Sequence, residues 1–309
     1  MTTFRSEGRA MTENESRTTV ELVKNQSIGQ VLFIVEGDKT EPDLLYRVFC
    51  KIYGYELERI EGNPQNPKYR VYGKPKNPDS RVRKDPDSRV IVVNAENSNI
   101  TSIRQGPGPE GERVNQYLDD LFTLLIEEHK LNIDNAAIYY LFDRDPKSNT
   151  DAQFIRNMLA LLDNARDSNS WERQGLLLLS YPGIESFTAM NLLDGSLTYC
   201  WENGLSICHD LKKALDRDKK EPNQINERTL AHCVEELLAG LEAAGVDTET
   251  ETLLNSFDRF CDNNLAIFEC QEDCYRTQRA YACLSLLCVA LLDLGLIRVK
   301  TADAAENSS

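Results

Sequence analysis

The sequence predicts an α/β protein built on a parallel sheet and followed by an all-helical C-terminal region. Three observations support this fold class. Short, continuous apolar runs, typical of strands covered on both faces, recur in the first 195 residues. Segments with apolar residues at helical spacing alternate with these runs, which predicts parallel strands joined by right-handed crossovers. From about Leu197 onward, only helical patterns recur.

The first strand and helix are predicted from the stretch "VLFIVEGDKTEP", residues 31–42. Val31–Val35 is a run of β-branched, aliphatic and aromatic side chains, so it predicts a buried strand. Thr40 is expected to cap the following helix, with Asp43 at the capping-box position. Apolar residues recur at helical spacing from Leu44 to Ile52 and predict the body of this helix.

The next segments repeat this alternation. Val90–Val93 predicts a second strand, and Glu110–Lys130 predicts an amphipathic helix because its apolar residues fall at i, i+3, i+4 and i+7. Ala136–Phe142 predicts a third strand. Thr150 or Asp151 is expected to cap the helix that follows it.

The last predicted strand, Gly175–Leu179, is followed by helical patterns alone. These patterns predict helices at Leu211–Leu215, Leu230–Ala244 and Thr252–Leu296. The chain is therefore expected to divide into three parts. Residues 1–28 are polar and aperiodic and predict a disordered tail, residues 29–195 the α/β domain with a basic insertion at about 60–89, and residues 196–309 a helical domain.

Composition limits the class of protein. The 309 residues are 41% hydrophobic, enough to bury a substantial core. Nine cysteines occur without a CxxC pair, and no apolar N-terminal stretch is typical of a signal peptide, so we expect a reduced, cytoplasmic protein. The longest apolar run, Ala280–Leu292, is shorter than the roughly 20 residues that a membrane span needs. No membrane association is predicted.

The charge is unevenly distributed. The net charge of −15 argues against a surface that attracts polyanions everywhere. Between Lys68 and Arg89, however, eight basic residues stand against three acidic ones, a local net charge of +5. Arg81, Arg83 and Lys84 are the candidate nucleic-acid contacts of this stretch. The alternative is a solvated, mobile loop, because the stretch is rich in proline.

Four acidic residues stand at or just beyond the ends of the predicted strands: Glu36, Asp143, Asp145 and Glu185. Functional crevices of open α/β sheets lie outside the carboxyl ends of the strands, so these side chains are expected to share one edge. Clustered carboxylates raise each other's pKa unless a cation neutralises them. Mg²⁺ fits best, with Mn²⁺ as the substitute, because Mg²⁺ takes oxygen ligands, usually a few carboxylates and a substrate phosphate. A single strand-end glutamate or Asp-x-Asp pair is common, and either alone is unspecific.

The order of these motifs resembles the Toprim domain of topoisomerases, DnaG-type primases and OLD-family nucleases, which carries Glu-Gly on its first strand and Asp-x-Asp on its third. "FIVEGDKTEPDLLY" is similar to the "EGEKTEPxYF" block of RloB-like proteins. "YLFDRDP" and "LSYPGIESF" are similar to their "FDRDEH" and "SNPCFExW" blocks. The resemblance covers roughly residues 31–193. This chain differs in carrying Pro146 and Lys147 after the Asp-x-Asp pair.

The resemblance implies a metal-dependent nuclease that acts as an effector of bacterial antiviral defence. At the matching positions, Glu36 is implied as general acid/base or metal ligand, and Asp143 and Asp145 as catalytic metal ligands. Glu185 is a further candidate ligand, with a helix N-terminal acid as the alternative.

Two residues beside Glu36 are candidates for substrate binding. Gly37 would let the backbone run close to the scissile phosphate. Lys39, just before the predicted helix, would pair with a phosphate, and the alternative is an ordinary surface lysine.

A second class of function stays open at this point, a non-catalytic Toprim-like module that binds nucleic acid or a partner protein. The expected partners are a nucleic-acid substrate, a separate ATPase or sensor protein, and a second copy of the chain. A separate ATPase is considered because no GxxxxGK[ST] motif occurs in the sequence.

Charge reversal tests the basic stretch. If it guides a nucleic acid, the triple variant Arg81→Glu, Arg83→Glu, Lys84→Glu will flatten the dependence of log Kd on log salt, by about 0.7–0.9 for each phosphate that is no longer bound. Fluorescence anisotropy with labelled DNA and RNA over a salt series measures the slope. Lys219→Glu with Lys220→Glu is the control outside the stretch. An unchanged slope in the triple variant would identify the stretch as a solvated loop.

Overall fold

The computed structural model describes residues 19–63, 66–75, 85–94, 98–133, 135–169, 172–193, 199–201, 206–246 and 260–300. The strands are β1 Thr19–Leu22, β2 Gly29–Val35, β3 Glu56–Asn63, β4 Asn66–Lys74, β5 Asp85–Asn94, β6 Ala137–Asp143, β7 Asp163–Asn169, β8 Glu172–Tyr181, β9 Tyr199–Trp201, β10 Ala280–Ala282, β11 Leu284–Ser285 and β12 Ile297–Lys300. The helices are α1 Thr40–Tyr46, α2 Ile100–Gln105, α3 Arg113–Thr123, α4 Ala152–Leu161, α5 Glu185–Leu192, α6 Ile207–Arg217, α7 Glu227–Ala243, α8 Phe260–Gln278 and α9 Leu287–Asp293.

The centre of the fold is an eight-stranded sheet in the order β11-β8-β6-β2-β5-β4-β3, with β7 paired to β8 outside this path. Strand β2 is parallel to both β5 and β6, and β6 is parallel to β8. These are the four strands that the apolar runs predict, so the mixed α/β class with a parallel centre is confirmed. The flanking strands β3, β4, β7 and β11 are antiparallel to their neighbours.

Strand β2 is fully enclosed. All five residues of Val31–Val35 have no exposed surface, as expected for a strand with neighbours on both sides and both faces covered. The ring of Phe33 lies 5.6 Å from that of Phe49 and 5.3 Å from that of Tyr139, measured between centroids. These contacts anchor the strand whose carboxyl end carries Glu36.

Of the two helix starts for which a capping residue is predicted, one agrees with the structure and one does not. Asp151 caps α4, because its side chain accepts a hydrogen bond from the backbone N–H of Phe154 at 3.0 Å. The predicted cap at Thr40 is wrong, since Thr40 is the first residue of α1 and Lys39 holds the cap position without a side-chain hydrogen bond. Helix α1 continues through a π-helical turn at Arg47–Ile52.

Part of the predicted disordered tail forms a strand. Strand β1 pairs antiparallel with β12, with Val20 opposite Val299, so Thr19–Leu22 belong to the folded structure. Residues 1–18 lie outside the described residues. A four-residue polar-apolar alternation is too short to identify from sequence, and its partner strand lies near the other end of the chain.

The prediction of an all-helical C-terminal region is wrong as well. Residues 252–259 of the single helical stretch expected at 252–296 lie outside the described residues, and the rest divides into α8, β10, β11 and α9. Strand β11 extends the central sheet, with Ser285 opposite Ser180 and their hydroxyl oxygens 2.9 Å apart. Strands β9 and β10 form a separate pair. Pairing with a distant strand overrides the local helical pattern here.

The described part of the basic insertion is a β-meander rather than a loop. Strand β4 pairs with β3 and β5, and its side chains Tyr69, Val71 and Tyr72 are buried. Arg89 donates a hydrogen bond to Glu58 at 3.2 Å, so its charge is engaged within the fold. Arg81, Arg83 and Lys84 lie outside the described residues.

Buried apolar residues of the N-terminal and C-terminal parts belong to one hydrophobic cluster. The cluster includes Phe33 and Leu178 of the sheet, Leu237 of α7 and Leu291 of α9. The described C-terminal residues therefore share their core with the sheet. Among the helices of the described ranges, none is long and apolar enough to cross a membrane.

Because the core is shared, we expect the C-terminal helices to contribute to the stability of the sheet. Leu291 has no exposed surface, so Leu291→Ala should lower the free energy of unfolding by about 2–5 kcal/mol. Leu57→Ala, on a residue 48% exposed, should change it by no more than about 0.5 kcal/mol. Urea titrations followed by circular dichroism measure both values. A decrease for Leu291→Ala as small as that of the control would show that α9 is independent of the core.

Candidate functional site at the carboxyl edge of the sheet

Glu36 and Asp143 meet at the carboxyl edge of the sheet. Glu36 directly follows β2, and Asp143 is the last residue of β6. Because these neighbouring strands are parallel, with Val35 opposite Leu141, both ends lie at the same edge. One carboxylate oxygen of Glu36, Oε2, accepts a hydrogen bond from the backbone N–H of Asp143 at 3.0 Å. Strand pairing thus brings together two of the four predicted carboxylates.

Asp143 is covered by the loop that follows β8. Its Oδ1 atom accepts a hydrogen bond from the backbone N–H of Ile184 at 2.8 Å. A Cβ atom added to Gly183 would lie 2.9 Å from Oδ2 of Asp143, so a larger residue here would have to displace the Asp143 carboxylate. Burial raises the pKa of Asp143 well above its usual range, and the nearby charges of Glu36 and Glu41 raise it further.

Asp145 faces its own loop. Its Oδ2 atom accepts a hydrogen bond from the Ser148 hydroxyl at 2.7 Å, and its Oδ1 atom accepts one from the backbone N–H of Lys147 at 3.2 Å. Its backbone N–H donates to the carbonyl of Pro182 at 2.9 Å. The Asp145 charge is nevertheless close enough to raise the pKa of Glu36.

Glu36 titrates near neutral pH. Burial raises its pKa to about 7, and the charges of Glu41 and Asp145 add to this effect. The hydrogen bond from Asp143 stabilises the carboxylate and partly opposes the rise. A carboxyl group with a pKa near 7 is able to accept or release a proton at physiological pH, which is the requirement for a general acid or base.

Glu41 also belongs to this cluster of acidic side chains, and the sequence analysis did not identify it. It is 4% exposed, and its Oε1 atom accepts a hydrogen bond from the backbone N–H of Gly37 at 2.9 Å. Burial raises the pKa of Glu41, and the charges of Glu185 and Asp38 raise it further. In the sequence Glu41 resembles an ordinary acidic residue in the first turn of a helix. Its place in the block "EGDKTEP" is the one feature that could have identified it as a site residue.

Gly37 and Lys39 are placed differently from each other. A Cβ atom at Gly37 would lie 2.4 Å from Oε2 of Glu41, so any other residue here would have to displace that carboxylate. Lys39 is exposed at the start of α1, and its carbonyl accepts a hydrogen bond from the backbone N–H of Asp43 at 2.9 Å. Gly37 thus has a role in packing, whereas Lys39, three residues after Glu36, is exposed to solvent.

Glu185 lies at the rim of the group. It is the first residue of α5, and its Oε1 atom lies 3.2 Å from the ammonium nitrogen of Lys212 on α6. Its charge raises the pKa of Asp143 and of Glu41. Glu185 is therefore electrostatically part of the group, while its side chain is paired with a lysine.

Cys208 of α6 also borders the carboxylates, and nothing in the sequence pattern identifies it. Its Sγ atom lies 3.3 Å from the carbonyl oxygen of Pro182 and would lie 3.3 Å from a Cβ atom at Gly183. Burial raises the pKa of the thiol, and the charges of Asp145 and Asp143 raise it further. The thiol is thus kept in its neutral form.

The acidic side chains at this edge have the chemistry that suits Mg²⁺, but their present arrangement does not form a metal site. Carboxylate oxygens are the ligands that Mg²⁺ prefers, and their mutual repulsion would be relieved by a cation. Within the described ranges, however, no three side chains of His, Cys, Asp or Glu are grouped so that they would hold a metal ion. The four predicted ligands each accept a contact from the chain itself, from Asp143 N–H, Ile184 N–H, Ser148 and Lys212 respectively.

A cavity of about 370 Å³ lies elsewhere, between α2 and α3. Its lining includes Arg113, Gln116, Tyr117 and Asp120, and none of the carboxylates at the sheet edge. The cavity is therefore separate from the carboxylates whose pKa values are raised. The carboxyl edge of the sheet, which holds these carboxylates, is the better candidate site.

Comparison with known proteins identifies no relative: no family model, no curated protein and no solved structure matches this chain. The fold defines a coarse class, a mixed α/β protein with a parallel sheet centre and a carboxylate group at its carboxyl edge. The relation to Toprim proteins stays a prediction from the motifs.

The raised pKa of Glu36 predicts how stability depends on pH. A carboxyl with a higher pKa in the folded than in the unfolded chain favours folding below about pH 4.5, and this contribution is lost as the pH rises through about 7. Glu36→Gln removes the ionisation, so at pH 8 the variant should be more stable than the wild type. Its free energy of unfolding should be about 1–3 kcal/mol higher. At pH 4 the two proteins should be nearly equal.

Chemical denaturation between pH 4 and 8 in the presence of a chelator measures this difference. Glu61→Gln, on strand β3, is the matched control, and it should show no such trend because the Glu61 side chain is 48% exposed. A difference between Glu36→Gln and the wild type that is constant over this pH range would contradict the assignment.

Proposed function

We propose that this chain is a Mg²⁺- or Mn²⁺-dependent nuclease with a Toprim-like catalytic domain, most similar to RloB-like and OLD-type defence nucleases. One observation carries the proposal. Glu36 and Asp143 stand at adjoining ends of two parallel strands, within electrostatic range of Asp145, Glu41 and Glu185. Glu36, Asp143, Asp145 and Glu185 are the acidic residues of the predicted site, and their proximity supports the proposal.

The carboxylates would divide the chemistry of phosphodiester hydrolysis between them. Asp143 and Asp145, with Glu185 as a further ligand, would hold the metal ion. The bound cation would neutralise charge on the phosphoryl oxygens. Glu36, with its pKa near 7, would take a proton from the attacking water or give one to the leaving oxygen.

Basic residues from two parts of the chain would bind the nucleic acid. Lys39 is exposed beside the site and would pair with a phosphate. Arg81, Arg83 and Lys84 would add a basic track whose contacts strengthen at low salt. The Lys212 side chain is 59% exposed and would become free for a phosphate whenever Glu185 turns toward a metal ion.

We expect the protein to act in the cytoplasm as an effector of anti-phage defence. DNA and RNA, including transfer RNA, are the substrate classes to compare. A separate ATPase or sensor protein would supply nucleotide-driven control, since the sequence has no GxxxxGK[ST] motif. Assembly into a homo-oligomer is a further expectation.

The second candidate is a Toprim-like module that binds nucleic acid or a partner protein without cutting. The internal hydrogen bonds favour it, because each of the four predicted ligands already has a partner within the chain. In this case the carboxylates would serve the fold alone.

A cleavage assay separates the two candidates. The purified protein is incubated with plasmid DNA, single-stranded DNA and total RNA, with Mg²⁺, Mn²⁺ or EDTA. We expect metal-dependent cleavage of at least one substrate and a decrease of at least about 100-fold in rate with Glu36→Ala or Asp143→Ala, since these groups act in the reaction itself.

Glu61→Ala is the control, an exposed glutamate on strand β3 that should leave the rate unchanged. Cleavage that survives Glu36→Ala and Asp143→Ala would refute the site. Binding of nucleic acid without metal-dependent cleavage of any substrate would favour the second candidate.

A further inference from the structure

Arg144 separates the two aspartates of the Asp-x-Asp pair, and it points away from them into the protein. It is 2% exposed, whereas Asp143 and Asp145 are half-buried at the edge of the sheet. Alternate side chains of an extended segment point in opposite directions, so the orientation of Arg144 and that of the two aspartates are linked.

The guanidinium group of Arg144 forms a two-pronged ion pair with Glu272 of α8. Its Nε atom donates to Oε1 of Glu272 at 2.7 Å, and its Nη2 atom donates to Oε2 at 2.7 Å. The hydroxyl of Tyr281 donates to the same carboxylate at 2.8 Å. Such parallel pairs restrict orientation strongly, because both groups are planar and both bonds must be made together.

The third arm of Arg144 holds the loop that follows the pair. Its Nη1 atom donates to the carbonyl of Asn149 at 2.7 Å. The side-chain amide of Asn149 donates in turn to the Asp143 carbonyl at 3.1 Å, and its backbone N–H donates to the Asp145 carbonyl at 2.8 Å. One buried cation thus organises the backbone of both aspartates.

A buried ion pair of this kind is a poor source of stability, because its desolvation offsets most of its attraction. Orienting neighbouring groups is the better explanation for its presence. We infer that Arg144 and Glu272 are positioning residues, through which helix α8 holds the Asp143–Asp145 segment at the carboxyl edge of the sheet. The purpose of this positioning, metal binding, rests on the proposed function.

The test replaces the ion pair by two apolar side chains of similar length, Arg144→Met with Glu272→Met. Such replacements of buried pairs are often neutral for stability, so the variant should fold. The control is Arg156→Met with Glu269→Met, which removes a more exposed ion pair between α4 and α8. Glu272→Gln, which keeps the shape of the side chain, is a second and milder variant.

Two measurements on the full chain report on positioning. Amide hydrogen exchange at Asp143, Arg144 and Asp145 should be at least about 10-fold faster in the Met pair, with Leu141 of the same strand unchanged. Mn²⁺ titration followed by electron paramagnetic resonance should show an affinity roughly 10–100-fold weaker, the usual effect of losing a residue that orients a metal ligand. Glu272→Gln should change both in the same direction by less, and the control pair should change neither.

Unchanged exchange at the three amides in both Arg144–Glu272 variants would overturn the inference, as would an unchanged Mn²⁺ affinity in a wild type that binds Mn²⁺. Mn²⁺ binding that is absent from the wild type, or present and not weakened by Asp143→Asn, would refute the proposed metal site. In that case the exchange rates alone decide the inference, and accelerated exchange confined to the segment supports it.

Discussion

The parallel pairing of β2 with β6 is the interaction on which the rest of the structure depends. Its register sets Val35 opposite Leu141 and therefore delivers Glu36 to the backbone of Asp143. Parallel strands end at one edge, so any polar residue that follows the buried run is brought to the same place. The fully enclosed strand β2 leaves no freedom to slip, because a shift by one residue would turn its Phe33 ring away from its partners.

This pairing creates an electrostatic cost that the neighbouring backbone relieves only in part. Amides of Asp143, Ile184 and Gly37 each donate to one carboxylate of the group, and each such bond favours the charged form. Burial and mutual repulsion prevail for Glu36 and Asp143, whose pKa values stay above the ordinary range. Clusters of ionisable side chains with strongly shifted pKa values are typical of functional sites.

The C-terminal region is bound to this edge by two separate contacts. Strand β11 extends the sheet beside β8, and α8 reaches the aspartate loop through Glu272. Helix α9 adds Leu291 to the common core. The same region completes the core and orients the aspartate loop. A substitution in α8 or in the strand pair β9–β10 would therefore change the position of the carboxylates, even where the substituted residue does not contact them.

The sequence by itself determined the parts of the fold that local chemistry controls. Continuous apolar runs identified the four central strands, the alternatives Thr150 and Asp151 located the start of α4, and the order of the acidic residues placed Glu36 and Asp143 at one edge. Only the tertiary structure decided that Glu41 is buried, that Lys212 pairs with Glu185, and that the C-terminal chain adds strands to the sheet. These features depend on partners far along the chain, and burial or pairing of that kind leaves no periodicity or capping signal in a local stretch of residues.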